Sequence, residues 1–231
     1  MTNQISDEAL EYVKRHHKKI VAEVIADRVP SPGAAISIFM AGSPGAGKTE
    51  FSKRFLQEIM GIEKYVVRID PDEIRQKLPQ YIPGQAEVLN PAVAKAVEKV
   101  LDYVFHKDFS FLLDGTLSKI DIARKNIDRA LSKNRVVLIQ YLYQDPFVAW
   151  RFTQAREKEE GRNIPKDAFI TQFFAARKNI NILKKEYGPK IQVDLIVRNI
   201  EARKYDFTYN VDNIDRYLEQ KYSEETLRRD L

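Results

Sequence analysis

Leu10, Val13, Ile20, Val21, Val24 and Ile25 recur at helical spacing, which predicts an amphipathic helix over 6–29. Pro30-Ser31-Pro32-Gly33 ends it in a short linker. Beyond it the pattern changes. Mostly apolar runs at 35–40, 64–69, 109–113, 135–143 and 191–197 read as strands, and the third, apolar but for Ser110, fits a buried parallel strand. Helical patterns fall between them, over 48–60, 72–78, 91–106, 119–133, 146–160 and 165–185. Pro79 to Gly84 is a break, Pro91 suits a first helical turn, and Gly161 stops the fifth of these helices. A closing helix is expected over 211–222. No internal repeat or low-complexity tract interrupts the series.

Strands alternating with helices predict an α/β fold, a mostly parallel sheet covered by helices on both faces. Its ligands belong beyond the carboxyl ends of the strands. The expected organisation is an amino-terminal helix and linker over 1–30, then one domain over 35–231 carrying a helical lid around 146–185.

Composition narrows the chemistry. The 231 residues are 44% hydrophobic, enough for one α/β core with additions. There is no cysteine, which excludes disulfides, thiolate nucleophiles and thiolate metal sites. His16, His17 and His106 are too few and too scattered for a zinc site. The start is polar and acidic, no apolar window is long enough to span a membrane, and a cytoplasmic location is expected. The formal charge is +5, but Lys and Arg are scattered among Asp and Glu. The densest cluster, Lys14-Arg15-His16-His17-Lys18-Lys19, reads as a solvated helix face, so nucleic acid is not an expected partner.

Four segments carry chemistry. Gly42-Ser43-Pro44-Gly45-Ala46-Gly47-Lys48-Thr49 is a complete G-x-x-x-x-G-K-T phosphate-binding loop between an expected strand and an expected helix. Its backbone N–H groups can turn inward around phosphate oxygens, with Lys48 on the β and γ phosphates and Thr49 on Mg²⁺. The second segment, Arg68-Ile69-Asp70-Pro71-Asp72-Glu73-Ile74-Arg75, puts two carboxylates at a strand tip. One of them can orient an acceptor hydroxyl; capping of the next helix by both is the structural alternative. In the third, Phe111-Leu112-Leu113-Asp114-Gly115-Thr116, an acid directly after an apolar strand has the form of a metal-holding carboxylate, while Gly115 and Thr116 can cross an acceptor pocket. The fourth spans Arg151, Arg156 and Arg162 around a helix-stop-helix unit, where guanidinium groups on a lid can meet a γ phosphate.

In order and spacing, these segments resemble the zeta toxin family of small-molecule kinases, over roughly 35–185. The resemblance implies a P-loop kinase fold using ATP or GTP with Mg²⁺. It implies a small-molecule hydroxyl acceptor, the 3′-hydroxyl of the sugar in UDP-N-acetylglucosamine, and an antitoxin protein as partner. Lys48 and Thr49 would serve phosphate and metal, Asp72 would be the catalytic base, and Arg156 and Arg162 the lid arginines, with Arg151 the alternative to Arg156. Asp70, Asp114 and Thr116 would face the acceptor, and Asp114 the metal too. Two positions depart from the family pattern. Asp114 replaces a glutamate, and Ser118 stands where an arginine is common. Both lie on the acceptor side. The rival readings are a kinase of polynucleotide ends or nucleosides, and a nucleotide-gated switch or hydrolase.

Overall fold

The computed structural model describes residues 2–59, 61–160, 163–199 and 204–231. The elements run α1 (Thr2–Ile25), β1 (Ile36–Ala41), α2 (Lys48–Arg54), β2 (Val66–Ile69), α3 (Pro71–Gln76), α4 (Asn90–His106), β3 (Ser110–Leu113), α5 (Ile120–Leu131), β4 (Val136–Tyr143), α6 (Pro146–Glu160), α7 (Lys166–Tyr187), β5 (Gln192–Asn199), β6 (Lys204–Thr208) and α8 (Glu224–Asp230). They build one six-stranded sheet in the order β2-β3-β1-β4-β5-β6. The first five strands are parallel, and β6 joins β5 antiparallel at the edge.

β1 lies inside the sheet and is buried on both faces, so it reads as a continuous apolar run. Its alternate residues serve different layers. Phe39 and Ala41 join the cluster built with α1 and α4, including Val13, Val21, Ala92, Val100 and Phe111. Ile38 and Met40 face Phe51, Phe55, Leu142 and Ile196. The polar Ser37 is fully buried, and its hydroxyl accepts from Arg135 Nε at 2.8 Å. A third cluster of Ala149, Phe169, Ile170, Phe173 and Leu227 ties α6, α7 and α8 together.

Two expectations fail at the carboxyl end. β6 was not anticipated, although Tyr205 and Phe207 alternate with polar neighbours and both pack on Phe51 of α2, at 5.1 and 6.0 Å between ring centroids. The helix expected over 211–222 is absent; only a 3₁₀ turn, Ile214–Arg216, forms there. Val211, Ile214 and Leu218 are buried at helical spacing, and Leu218 N–H donates to Ile214 O at 3.1 Å, but other backbone groups of the segment bond elsewhere. Val211 N–H donates to Val193 O of the sheet at 2.8 Å. Ile214 N–H donates to Asn181 Oδ1 at 3.0 Å, and Leu218 O accepts from Arg177 at 2.7 Å. Side chains of α7 thus take backbone groups of the segment and hold it in a non-helical path. The actual last helix starts two residues later than the expected one ends, at a capping box made by Ser223 and Thr226.

Candidate active site

The carboxyl ends of β1, β2 and β3 meet at one edge of the sheet, as expected for ligand sites in such sheets. β1 runs into the loop 42–47, and α2 begins at Lys48. Gly45 is left-handed at φ 72°, and a Cβ there would lie 2.0 Å from Ala149 O of α6. Only glycine lets the loop pass under the helix that far in. Lys48 Nζ folds back over the loop, donating to Gly42 O at 3.0 Å and Ser43 O at 2.7 Å. Burial pushes its pKa down to about 8, and the nearby Asp114 and Asp72 carboxylates oppose that shift.

Asp114 follows β3, next to β1 in the sheet, and is 5% exposed. Its carboxylate accepts from Ser52 Oγ at 3.3 Å, and the nearby Thr49 hydroxyl favours its charged form. Burial, helped by the neighbouring charge of Asp70, raises its pKa to about 6; Lys48 and Arg68 pull the other way. The two residues expected to face a metal are therefore neighbours. Both offer oxygen, the donor type Mg²⁺ prefers, and together they leave most of an octahedron to water and phosphate, the usual arrangement for this ion.

The two acids after β2 separate in role. Asp70 is the N-cap of α3: its Oδ1 accepts from Asp72 N–H at 2.8 Å and Glu73 N–H at 3.4 Å. Its Oδ2 accepts from Arg68 at 2.9 Å. Asp72 does not cap. Its carboxylate accepts from Arg75 and lies 3.9 Å from Arg156 of α6. Arg75 also donates to Asn90 at the start of α4, at 3.0 Å. Asp72 thus faces across the loop toward α6, within electrostatic reach of Lys48.

Thr116 reaches the same edge through its backbone, whose carbonyl accepts from Gly42 N–H at 3.3 Å. Its hydroxyl lies 2.9 Å from that of Ser118. Asn179 of α7 holds the turn from beneath, donating to Leu117 O at 3.0 Å and Ser118 O at 2.9 Å. Arg151 is exposed on α6. Gly161 and Arg162 lie outside the described residues.

One participant was missed. Arg68 sits on β2 between Val67 and Ile69, its side chain 10% exposed. It reaches Asp70, Asp114 at 3.4 Å and Glu73. A lone cation inside an apolar strand was a legible signal, because a buried guanidinium requires carboxylate partners. Among the described residues no three His, Cys, Asp or Glu side chains converge as a metal cage.

The model of the family described as zeta toxin matches residues 11–209, most of the chain. The chain belongs to the zeta toxin family. One relative is Toxin PezT of Streptococcus pneumoniae serotype 4, 27% identical over 131 residues, which are 54% of this chain and 51% of that protein. The chain thus spans about half the length of that relative. Among solved structures, that of the PezAT chromosomal toxin-antitoxin system of the human pathogen Streptococcus pneumoniae superposes with a TM-score of 0.69 at 20% identity, covering 94% of this chain and 85% of that one. The AvrRxo1-ORF1:-ORF2 structure with ATP superposes with a TM-score of 0.62 at 14% identity, covering 93% and 70%. At these identities the superpositions establish the fold, which this zeta-toxin chain shares.

Proposed function

We propose that this chain is a kinase that transfers the γ-phosphoryl group of ATP or GTP to a hydroxyl of a small molecule, a nucleotide sugar such as UDP-N-acetylglucosamine. The observation that carries the reading is the division between the two strand-end acids. Asp70 is occupied as a cap, while Asp72 faces the phosphate loop and Arg156. A hydrolase or switch has no need of a second carboxylate aimed at an acceptor position, whereas a kinase does.

The loop 42–47 and the start of α2 hold the phosphates through backbone N–H groups. Lys48, released from Gly42 O and Ser43 O, neutralises charge on the β and γ oxygens. Thr49 and Asp114 would hold Mg²⁺, which supplies further charge neutralisation when bound. Asp72 orients the acceptor hydroxyl and receives its proton as the new O–P bond forms and the bond to the leaving nucleoside diphosphate breaks. Arg156 and Arg162 are the lid arginines, stabilising charge on the transferring group. Asp70, Asp114 and Thr116 border the acceptor, with Asp70 acting from its place at the cap. The Asp114 and Ser118 departures sit there, so acceptor choice within the nucleotide sugars is where this chain differs from the family pattern.

The names of the PezT relative and the PezAT structure favour a toxin held in check by an antitoxin protein; a cytoplasmic location is part of the same proposal. No helix among the described residues is long and apolar enough to cross a membrane. The test is a panel of UDP-sugars, nucleosides and short oligonucleotides incubated with radiolabelled ATP. Label on a UDP-sugar supports the reading. Label confined to oligonucleotides or nucleosides, or release of free phosphate alone, overturns it.

A further inference from the structure

The sheet order gives the donor site a direction. Asp70 and Asp114 follow β2 and β3, on one side of β1, while β4 and β5 lie on the other. A triphosphate lying on the loop with its γ end toward Lys48, Asp72 and Asp114 must send its α end and base out over the β4–β5 side. Two side chains meet there. Arg198, on β5, donates to Glu50 of α2 at 2.9 Å. Its guanidinium carbon lies 5.5 Å from the centroid of the Phe152 ring on α6. It also covers the end of the phosphate loop: a Cβ on Gly47, left-handed at φ 89°, would lie 2.2 Å from Arg198 Nη1.

Phe152 is 38% exposed, while its helix neighbour Ala149 is fully buried and Trp150 packs beside it in the α6–α8 cluster. Core packing therefore does not account for an aromatic ring at position 152. A flat, weakly hydrated guanidinium stacked over a partly exposed phenyl ring makes a platform whose outer side takes a planar heteroaromatic ring. We propose that the Arg198–Phe152 pair forms the stacking platform for the purine or pyrimidine base of the phosphate donor. The proposal rests on the donor reading above and extends it to residues outside every phosphate-loop motif. The competing role for Arg198 is to brace α2 through Glu50, in which case it supports the phosphate loop and nothing more.

Calorimetry on the full chain, with ADP and inorganic triphosphate as separate probes, distinguishes these roles. Phe152→Ala and Arg198→Lys are each expected to weaken ADP about tenfold while changing triphosphate affinity by less than about twofold. The lysine keeps the charge opposite Glu50 but loses the flat face. Phe152→Tyr, which keeps the ring, should retain ADP affinity. Equal weakening toward both probes assigns the pair to bracing and overturns the proposal, as does unchanged ADP binding. A wild-type protein that binds both probes, with variants that match it, defeats this inference alone. A wild-type protein that binds neither defeats the donor reading and this inference together.

Discussion

The two acids after β2 carry distinct burdens, and single substitutions should separate them. Asp72→Asn should lower transfer by ~10²–10⁴-fold, the range for a lost proton-accepting group, with little change in melting temperature or in affinity for a non-hydrolysable ATP analogue. Asp70→Asn removes charge from a cap that also holds a buried guanidinium, so it should destabilise by about 1–3 kcal/mol. If Asp72→Asn turns over normally and Asp70→Asn does not, the roles are reversed. Lys48 makes its described hydrogen bonds only to loop carbonyls, so Lys48→Ala should abolish transfer without unfolding the protein; circular dichroism beside a turnover assay decides. Asp114 behaves differently. Its pKa is raised to about 6 in the fold, so the folded protein holds the proton more tightly than the unfolded chain does. The stability this gives is full below the ordinary aspartate range and is lost as pH rises through about 6. In chelator and without nucleotide, Asp114→Asn should therefore melt higher than wild type at pH near 8, by on the order of 2 kcal/mol, and the gain should vanish near pH 4. A gain independent of pH would mean that the buried charge is not its source.

At the scale of elements, the motif-bearing half was legible because its signals are local. The glycine loop, the Asp-Pro start of α3 and the apolar runs of β1 and β3 each declare themselves within a few residues. Expected bounds there differ by one or two positions, with one informative exception. The helix expected over 48–60 holds α geometry only through Arg54, and Phe55–Ile59 continues as a π turn. The carboxyl end was illegible because non-local partners decide it: Asn181 and Arg177 of α7 and Val193 of β5 take the backbone groups of 211–218. Arg68 stood out as a lone cation in an apolar strand, but its partners did not. Its role appears only when β2 and β3 pair and bring Asp70 and Asp114 to one guanidinium. Under the proposed function, the element that matters at this scale is α6. Arg156 approaches Asp72 from that helix and would meet a γ phosphate only in the assembled site. Arg156→Ala and Arg162→Ala should each lower the transfer rate about a hundredfold or more, with little loss of ATP affinity in the absence of acceptor. A change confined to the Michaelis constant for ATP would reduce them to ground-state contacts.

For the whole molecule, the open question is what the amino-terminal helix does, since five parallel strands form without it. α1 presents Ala9, Val13, Ile20, Val21 and Ile25 to the same cluster as Ala92, Val100 and Phe105 of α4, all of them buried. The segment after it is fastened too. Val29 N–H donates to Lys64 O at 3.1 Å, and the Ser31 and Ser110 hydroxyls lie 2.8 Å apart. The basic cluster falls on the opposite side, where Lys14, Arg15, Lys18 and Lys19 are exposed and Lys14 pairs with Glu11 at 2.7 Å. The helix therefore closes the core with its apolar face and leaves its charged face exposed. Deleting residues 1–30 strips four large apolar side chains from that core, each worth ~1.5–3 kcal/mol, and exposes the α4 surface beneath. Against a total stability of ~5–15 kcal/mol, that loss should lower the melting temperature by ten degrees or more and open the α4 region to protease. The phosphate loop lies across the sheet from α1, so whatever fraction stays folded should bind ADP with unchanged affinity. A truncated protein that melts like the full chain and resists protease equally would mean that the contact with α4 contributes nothing. The apolar stripe would then belong to an interface with a partner.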